Sequence, residues 1–278
     1  NTCSCLELRP DASWKKHLKE EEVADFRAAC KKHLAQLVRL RDVTHCTDRR
    51  TVRWEILNAC AISDWDRALA LYDRMKELVP AHEYHALKGQ FLFQSVFDKD
   101  DTEPNPQKWI PAVARPDIQR PWLLLSSMVP EEPAELAAAE TDRLRDAVSE
   151  LEKALERDPG LPPLYRSMLA RCYFATGHFH DAAKEYRRIL KSGFGQQMFP
   201  DVVCLGLMAS DVERMIEASL ATAYERAGAF EEAKSVLVEL LEHHPDARGI
   251  YARMARLETR RGRHDIASEL LRKECERD

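Results

Sequence analysis

The chain has 278 residues, 45% of them hydrophobic and 32% charged, so it can bury a core while keeping a polar surface. Its net charge of −5 excludes the overall basic surface that binds duplex nucleic acid, although a local basic strip is compatible with it. No apolar run reaches the roughly 18 residues of a membrane span, and residues 1–10 lack the apolar core of a secretory signal. We therefore predict an intracellular, cytoplasmic protein. A mitochondrial protein whose targeting segment is absent from this sequence is the alternative.

Eight cysteines are scattered through segments of helical character, which favours reduced thiols over a disulfide framework in a chain of this size. A zinc site can be assembled on paper from Cys3, Cys5, Cys30, His33, His45 and Cys46. Structural zinc sites, however, use ligand pairs at tighter and more regular spacing than these residues offer. We predict that the chain binds no metal and no cofactor.

Two helical segments are predicted before residue 81. Residues 24–40 carry apolar side chains at helical spacing, and residues 53–80 contain a second helix over 64–78. The run ALALYDRMK at 68–76 resembles a pentatricopeptide repeat, which belongs to a family that reads RNA one base per repeat. Because that family uses several successive repeats, a single copy leaves RNA binding as the less favoured alternative.

A proline-rich segment interrupts the predicted helices. Residues 81–97 continue as a helix, and residues 98–121 then hold five prolines with almost no periodicity. Such a composition indicates a linker or a surface loop. Helical periodicity returns at residues 122–125.

A repeated pattern organises the C-terminal half of the chain. Three residue types recur at an interval of 34 positions, namely Gly228 and Gly262, Ala233 and Ala267, and Leu237 and Leu271. An earlier copy holds Leu169, Ala170, Tyr173, Gly177, Phe179, Ala182 and Tyr186, and a half-copy before it holds Ala147, Leu151, Ala154, Leu155 and Pro159. In each full copy an amphipathic helix ends at a glycine, and a small alanine lets a second helix approach closely. One such hairpin cannot cover its own apolar side, so the copies must stack.

At these spacings the chain resembles the tetratricopeptide repeat family. The matching residues are Leu220, Ala221, Tyr224, Gly228, Phe230, Ala233, Leu237 and Pro245. The resemblance implies an all-α fold, an α-α superhelix of two-helix hairpins with an irregular linker. An ordinary helical bundle is the alternative, which the agreement of Gly, Ala, Tyr and Pro at one period disfavours.

The repeats suggest a domain organisation. We predict an N-terminal helical region with one degenerate repeat at 1–97, a linker at 98–121 and a repeat domain at 122–278. The repeats are expected at about 131–159, 163–191, 213–245 and 247–278. Ala182 and Ala233 lie 51 residues apart, which exceeds the 34-residue period by half a hairpin and predicts an inserted helix or loop at 194–210. We expect its apolar run to pack inside the molecule.

Sequence motifs for catalysis are missing. The chain has no glycine-rich phosphate loop, no nucleophile elbow and no two-histidine zinc motif. The acidic pair Glu231–Glu232 begins a predicted helix, where it complements the helix dipole, and His243–His244 ends one. We predict that the protein is not an enzyme.

The resemblance also implies a binding surface. In tetratricopeptide proteins the first helices of the hairpins line a concave groove that usually takes an extended peptide or a partner's helix. The matching positions, which we predict to bind a partner, are Arg171, Phe174, Thr222, Arg226, Arg253, Arg256 and Arg260. Five arginines favour carboxylates, because the guanidinium fork binds them bidentately. The family's clamp for chaperone tails is not expected, since Arg171, Thr222 and Arg256 replace its asparagines. A solvated face whose arginines pair with Glu225 and Glu258 is the alternative.

The leading functional prediction is a non-catalytic interaction scaffold or adaptor that binds a partner protein or an acidic peptide and belongs to a larger assembly. The alternative is an RNA-associated helical-repeat protein of an organellar complex. A weaker alternative is the regulatory part of an enzyme whose catalytic part lies outside this sequence.

Overall fold

The structure is a computed structural model that describes residues 25, 28–29, 31–39, 51–52, 55–56, 59, 64–97, 135–192, 209–245, 247 and 249–276. Throughout these residues the regular structure is helical and no strand is present. The helices with complete bounds are α1 (Trp65–Met75), α2 (Ala81–Phe97), α3 (Ala138–Arg157), α4 (Pro163–Ala175), α5 (Phe179–Lys191), α6 (Ala209–Arg226), α7 (Phe230–His243), α8 (Ile250–Arg260) and α9 (His264–Cys275). The predicted all-α superhelix of hairpins is confirmed.

Several predicted elements lie outside the described residues. They are the linker at 98–121, the insertion at 194–210 apart from its last two residues, which begin α6, and every zinc candidate except His33. Where the structure is described, no three potential ligands are grouped to hold a metal ion. No described helix combines the length and apolarity needed to cross a bilayer.

Glycines in the left-handed conformation turn the chain within three hairpins. Gly177, Gly228 and Gly262 stand between α4 and α5, α6 and α7, and α8 and α9, with φ angles of 84°, 75° and 74°. A Cβ atom is strained at these angles, so glycine suits the end of each first helix. After α6, the amide of Ala229 donates a hydrogen bond to the carbonyl of Tyr224 at 2.9 Å. The predicted role of Gly228 and Gly262 as turn residues is confirmed.

Small residues let the paired helices approach, and the pairs share one core. Ala182, Ala233 and Ala267 are buried near the starts of α5, α7 and α9, where a larger side chain would push the first helix away. A single cluster of buried apolar residues runs from α2 to α8. Each hairpin in that range therefore covers an apolar side of its neighbour, as stacked repeats require.

Helix α2 is buried around most of its circumference, which explains why its sequence shows little amphipathic pattern. Leu87 and Phe91 belong to a cluster with α1, and the ring of Phe91 lies 4.5 Å from that of Tyr72. Phe93 and Val96 belong instead to the core of the repeat stack. Helix α2 thus connects the N-terminal helices with the repeats.

Helix α2 also pairs with α3, although residues 98–137 separate the two helices in sequence. Nδ1 of His85 lies 2.6 Å from Oε2 of Glu150. A Cβ atom added at Gly89 would lie 2.6 Å from Cγ of Leu151, so the backbones approach as closely as glycine allows. The half-copy predicted at 131–159 therefore finds its first helix in α2 and its second in α3.

Replacing Gly89 with alanine tests this pairing. Alanine has the higher helix propensity by about 1 kcal/mol, so the substitution would stabilise an unconstrained helix. We expect Gly89→Ala instead to lower the free energy of unfolding, measured in urea, because the new methyl group overlaps Leu151. Combining it with Leu151→Ala should cost less than the sum of the two single changes. A stabilised Gly89→Ala variant would contradict the close approach.

Candidate partner-binding surface

We define the first-helix surface by the seven residues predicted to bind a partner, and all of them lie on α4, α6 and α8. Their exposure differs: Arg256 and Arg260 are exposed, Arg226 and Arg253 are half-buried, and Arg171, Phe174 and Thr222 are buried. The accessible part of the first-helix surface therefore consists of arginines. The structure assigns several of these arginines contacts inside the stack, which the sequence did not reveal.

Arg253 joins the last two hairpins. Its Nη2 atom donates hydrogen bonds to the carbonyl oxygen of Ala218 at 3.1 Å and to Oγ1 of Thr222 at 2.6 Å. Both acceptors lie on α6, so the guanidinium bridges from α8 to the preceding first helix. Burial of Thr222 follows from this contact, and both residues serve the stacking of the repeats.

Arg260 makes a second bridge between the same helices. Its Nη1 atom lies 2.7 Å from Oε1 of Glu225 on α6, and about half of the arginine side chain is exposed. An ion pair in such a position contributes little to stability, because water screens it. Arg260 can therefore exchange Glu225 for a carboxylate of a partner at little cost.

Arg171 stands apart because its charge is buried without an acceptor in the described part of the chain. The side chain is 6% exposed, and its Nε and Nη1 atoms have no hydrogen-bond partner there. The guanidinium lies over the ring of Phe97, 4.6 Å from the ring centre, at the end of α2. Burial lowers the pKa of Arg171 below its usual value, because desolvation disfavours the charged form.

Sequence reasoning missed two residues of α2, one of which contacts the first-helix surface. One is Phe97, which carries the Arg171 contact. The other is Gln90, whose buried amide oxygen and nitrogen both lack a hydrogen-bond partner among the described residues. Gln90 and Phe97 are seven residues apart and so share one side of the helix. The available signal was the presence of Gln90, Gln94 and Ser95 among the apolar residues of α2.

We expect removal of the two arginine bridges to lower the free energy of unfolding by different amounts. Arg253→Met should lower the free energy of unfolding by about 1–3 kcal/mol, because buried acceptors on α6 lose a charged donor. Arg260→Met is the matched control on the same helix and should change it by less than about 1 kcal/mol, as exposed ion pairs do. Urea titrations of both variants measure the difference. Equal losses would contradict the structural role given to Arg253.

Two clefts occupy equivalent places in the stack, each between a second helix and both helices of the next hairpin. The first cleft, of about 520 Å³, is lined by Glu152, Leu155, Glu156, Pro159, Arg166, Leu169, Tyr173, Glu185, Arg188 and Ser192. The second cleft, of about 450 Å³, is lined by Arg187, Leu190, Lys191, Glu213, Glu217, Leu220, Glu239 and His243. The first cleft uses α3, α4 and α5, and the second uses α5, α6 and α7.

The charges of the two clefts are inverted. The equivalent pairs are Glu152 and Arg187, Glu156 and Lys191, Arg166 and Glu217, and Arg188 and Glu239. Members of the first two pairs lie 35 residues apart, as Ala147 and Ala182 do, and members of the others lie 51 apart, as Ala182 and Ala233 do. In the first cleft the acids of α3 face Arg166 and Arg188, which are themselves paired with Glu185. In the second cleft the bases of α5 face Glu213, Glu217 and Glu239.

Equivalent tyrosines in the two clefts contact charges of opposite sign. In the first cleft the hydroxyl of Tyr173 donates a hydrogen bond to Glu152. In the second cleft the guanidinium of Arg187 lies over the ring of the equivalent residue, Tyr224, 5.2 Å from its centre. The carboxylate uses the polar tip of the tyrosine and the guanidinium uses its electron-rich face.

Glu217 meets two histidines at the floor of the second cleft. Its Oε1 lies 2.9 Å from Nδ1 of His243, and its Oε2 lies 3.9 Å from Nε2 of His244. Burial raises the pKa of Glu217, and the hydrogen bond to Glu217 raises the pKa of His243, with further help from Glu213 and Glu239. These contacts hold the end of α7 against α6.

The raised pKa of His243 gives stability a defined pH dependence. Its contribution is fully present below the unfolded pKa of about 6.5 and is lost as pH rises through the higher folded value. We expect the urea concentration at the unfolding midpoint to decrease as the pH is raised from about 6 to about 8. In His243→Gln this decrease should be smaller. The exposed His264 supplies the control variant His264→Gln. An unchanged slope in His243→Gln would exclude this contact as its source.

Family models match the tetratricopeptide repeat at residues 138–197 and again at residues 216–257. The first match covers α3, α4 and α5, and the second covers most of α6, all of α7 and the first part of α8. A comparison with curated protein sequences found no significant match. The pentatricopeptide resemblance at 53–80 lies outside both matched regions and stays a prediction.

These repeats indicate a protein-interaction scaffold, since repeats of this family generally bind proteins and their carriers are typically non-catalytic. Their matched positions coincide with hairpins whose turns, small residues and shared core are described above. The stacked hairpins and the two matched regions together show that the chain carries tetratricopeptide repeats at residues 138–197 and 216–257.

Proposed function

We propose that the chain is a non-catalytic adaptor that binds an acidic segment of a partner protein along the concave face expected of its first helices, as one subunit of a larger assembly. The observation that carries this proposal is the buried guanidinium of Arg171, whose Nε and Nη1 donors meet no acceptor among the residues that the structure describes. A carboxylate supplied by a partner would complete those hydrogen bonds once the Arg171 side chain turns toward the surface, because both atoms are buried in the structure described.

Keeping Arg171 in this state costs folding free energy. A buried charge without a counter-ion is unfavourable, and stacking on Phe97 offsets only part of that cost. An apolar side chain of similar size would fit the same place without an unpaired charge. Sites that sacrifice stability in this way are typical of binding surfaces, so the cost itself supports a role in recognition.

The charge around Arg171 supports an anionic partner. The first-helix surface contributes five arginines, of which Arg260 pairs with Glu225, whereas the whole chain has a net charge of −5. A basic strip on an acidic protein concentrates positive potential on one face and speeds encounter with acidic segments. Arg226 and Arg256 contribute to this potential from half-buried and exposed positions.

Arg171→Met tests the proposal because stability and binding should move in opposite directions. We expect the variant to unfold at higher urea concentration, since it removes a buried unpaired charge. We expect it to bind a fluorescein-labelled oligoglutamate peptide at least about tenfold more weakly, measured by fluorescence anisotropy. Arg145→Met on α3, where Arg145 is exposed and paired with Asp142, should change neither quantity.

Two further measurements complete this test. Arg226→Glu should also lower the affinity for the oligoglutamate peptide, because it reverses a charge on the same surface. Replacing the peptide with labelled oligouridine tests the RNA alternative, for which affinity should fall steeply and linearly with the logarithm of salt concentration. Tight oligouridine binding with no peptide binding would show that the ligand is RNA and not an acidic segment of a protein. Unchanged peptide affinity in Arg171→Met would remove the proposal.

A further inference from the structure

The first cleft contains a tyrosine whose ring face meets no guanidinium or ammonium group among the described residues. In the second cleft the guanidinium of Arg187 lies over the ring of Tyr224, which is buried. The equivalent tyrosine of the first cleft is Tyr173, and Glu152 stands in the place of Arg187 and accepts its hydroxyl instead. Tyr173 is only half-buried and lines the cleft. One cleft thus shows the cation that the same ring lacks in the other.

Two carboxylates stand beside this ring without a basic partner in the described part of the chain. Glu152 and Glu156 are exposed, line the first cleft and lie one turn apart on α3. Glu152 keeps acceptor capacity after its bond from the tyrosine. The arginines of the opposite wall are engaged elsewhere, since Arg166 and Arg188 both pair with Glu185. The carboxylates of α3 are therefore available to a cation from outside the chain.

The apolar part of the lining suits the stem of a long side chain. Leu155 and Leu169 line the cleft and are 7% and 3% exposed. Arginine combines an aliphatic stem with a planar guanidinium that stacks on aromatic rings and binds carboxylates bidentately. Lysine has a similar stem, but its ammonium lacks that planar fork. A ring, two carboxylates and an apolar floor together favour arginine.

We propose that the first cleft binds an arginine side chain of a partner protein, with the guanidinium over Tyr173 and its N–H groups donating to Glu152 and Glu156. A carboxylate beside this arginine in the partner would meet Arg188, because Arg166 and Arg188 share one carboxylate. A free small molecule suits the cleft less well. Sites for such ligands enclose most of the ligand surface, whereas Glu152, Glu156 and Arg188 are all exposed.

The probe is a capped pentapeptide that holds one arginine and one glutamate among glycines, titrated into the isotope-labelled full chain and followed by amide chemical shifts. We expect the shifts to fall on α3, α4 and α5. Citrulline in place of the arginine keeps the shape and removes the charge, and should lower the affinity about tenfold or more. Lysine should bind less tightly than arginine, and the reverse order would overturn the choice of arginine. Equal affinities of the arginine and citrulline peptides, or shifts confined to other helices, would overturn the whole proposal.

Glu156→Gln and Asp146→Asn are the matched variants on α3. Both acids are exposed and unpaired within the described residues, and Asp146 lies about 15 Å along the helix from Glu156, outside the cleft lining. We expect Glu156→Gln to lower the affinity for the pentapeptide at least about threefold and Asp146→Asn to leave it unchanged. The urea midpoint should stay at the wild-type value in both. Equal losses of affinity would contradict the role given to Glu156.

Two substitutions at Tyr173 test the ring. Tyr173→Leu removes the aromatic face and should lower the affinity for the pentapeptide about threefold or more. Tyr173→Phe keeps the face and should lower it less. Urea titrations show whether each variant is folded. Wild-type affinity in folded Tyr173→Leu, or a loss in Tyr173→Phe as large as that caused by citrulline, would overturn the placement of the guanidinium over the ring.

The acid of the pentapeptide has its own readout. Glutamine in place of the glutamate should weaken binding to the wild type and have no effect on binding to Arg188→Gln, because the two changes remove the same pair. Equal losses in both proteins would overturn the pairing with Arg188. Free L-arginine should bind more weakly than the pentapeptide. Tighter binding of free L-arginine would assign the cleft to a small molecule and overturn the choice of a partner protein.

The concave-face proposal is tested independently of this one. Arg226→Glu, which should weaken oligoglutamate binding, should leave the affinity for the pentapeptide unchanged. Glu156→Gln should conversely leave oligoglutamate binding unchanged. Loss of both ligands in both variants would show that the first cleft and the first-helix surface are not separate sites, and would overturn the cleft proposal.

Discussion

Each hairpin of this chain has an apolar side that it cannot cover itself, and the rest of the structure depends on that constraint. The constraint explains why the core is continuous from α2 to α8 and why small alanines and left-handed glycines recur at fixed positions. It also explains why α2 is drawn to α3 across the intervening residues 98–137, since α3 would otherwise present its buried row of Leu144, Leu151 and Leu155 to water. Burial of these side chains outweighs the small entropy cost of closing a longer loop.

The same constraint determines what the polar residues on the first helices can do. Thr222 occupies the same repeat position as Arg256, yet its hydrogen bond with Arg253 joins two hairpins. Arg171 lies against Phe97 instead and keeps unsatisfied donors within the described part of the chain. A position that the family resemblance predicts to line a groove can therefore form a structural bridge instead, as Arg253 and Thr222 do.

The sequence predicted features that depend on local chemistry. Gly228 and Gly262 were recognisable as turns because a glycine between two amphipathic runs marks the place where a helix breaks, and the buried alanines followed from the same period. The partner of α3 was not predictable, because no local pattern records which distant helix packs against Leu151. The bridge from Arg253 to α6 was hidden for a similar reason, since an arginine on a first helix reaches water or a neighbour with equal ease. The division into domains at 1–97 and 122–278, and the insertion at 194–210, depend on residues outside those described and stay predictions.

The opposite charges of the two clefts bear on how such a chain can evolve. Solenoids are commonly pictured as strings of exchangeable modules that grow or shrink by whole units. Here, bringing α3 directly against α6 and α7 would set Glu152 and Glu156 beside Glu217 and Glu239, and the repulsion would oppose the shortened arrangement. The order of the hairpins is thus favoured by their charges as well as fixed by the covalent chain.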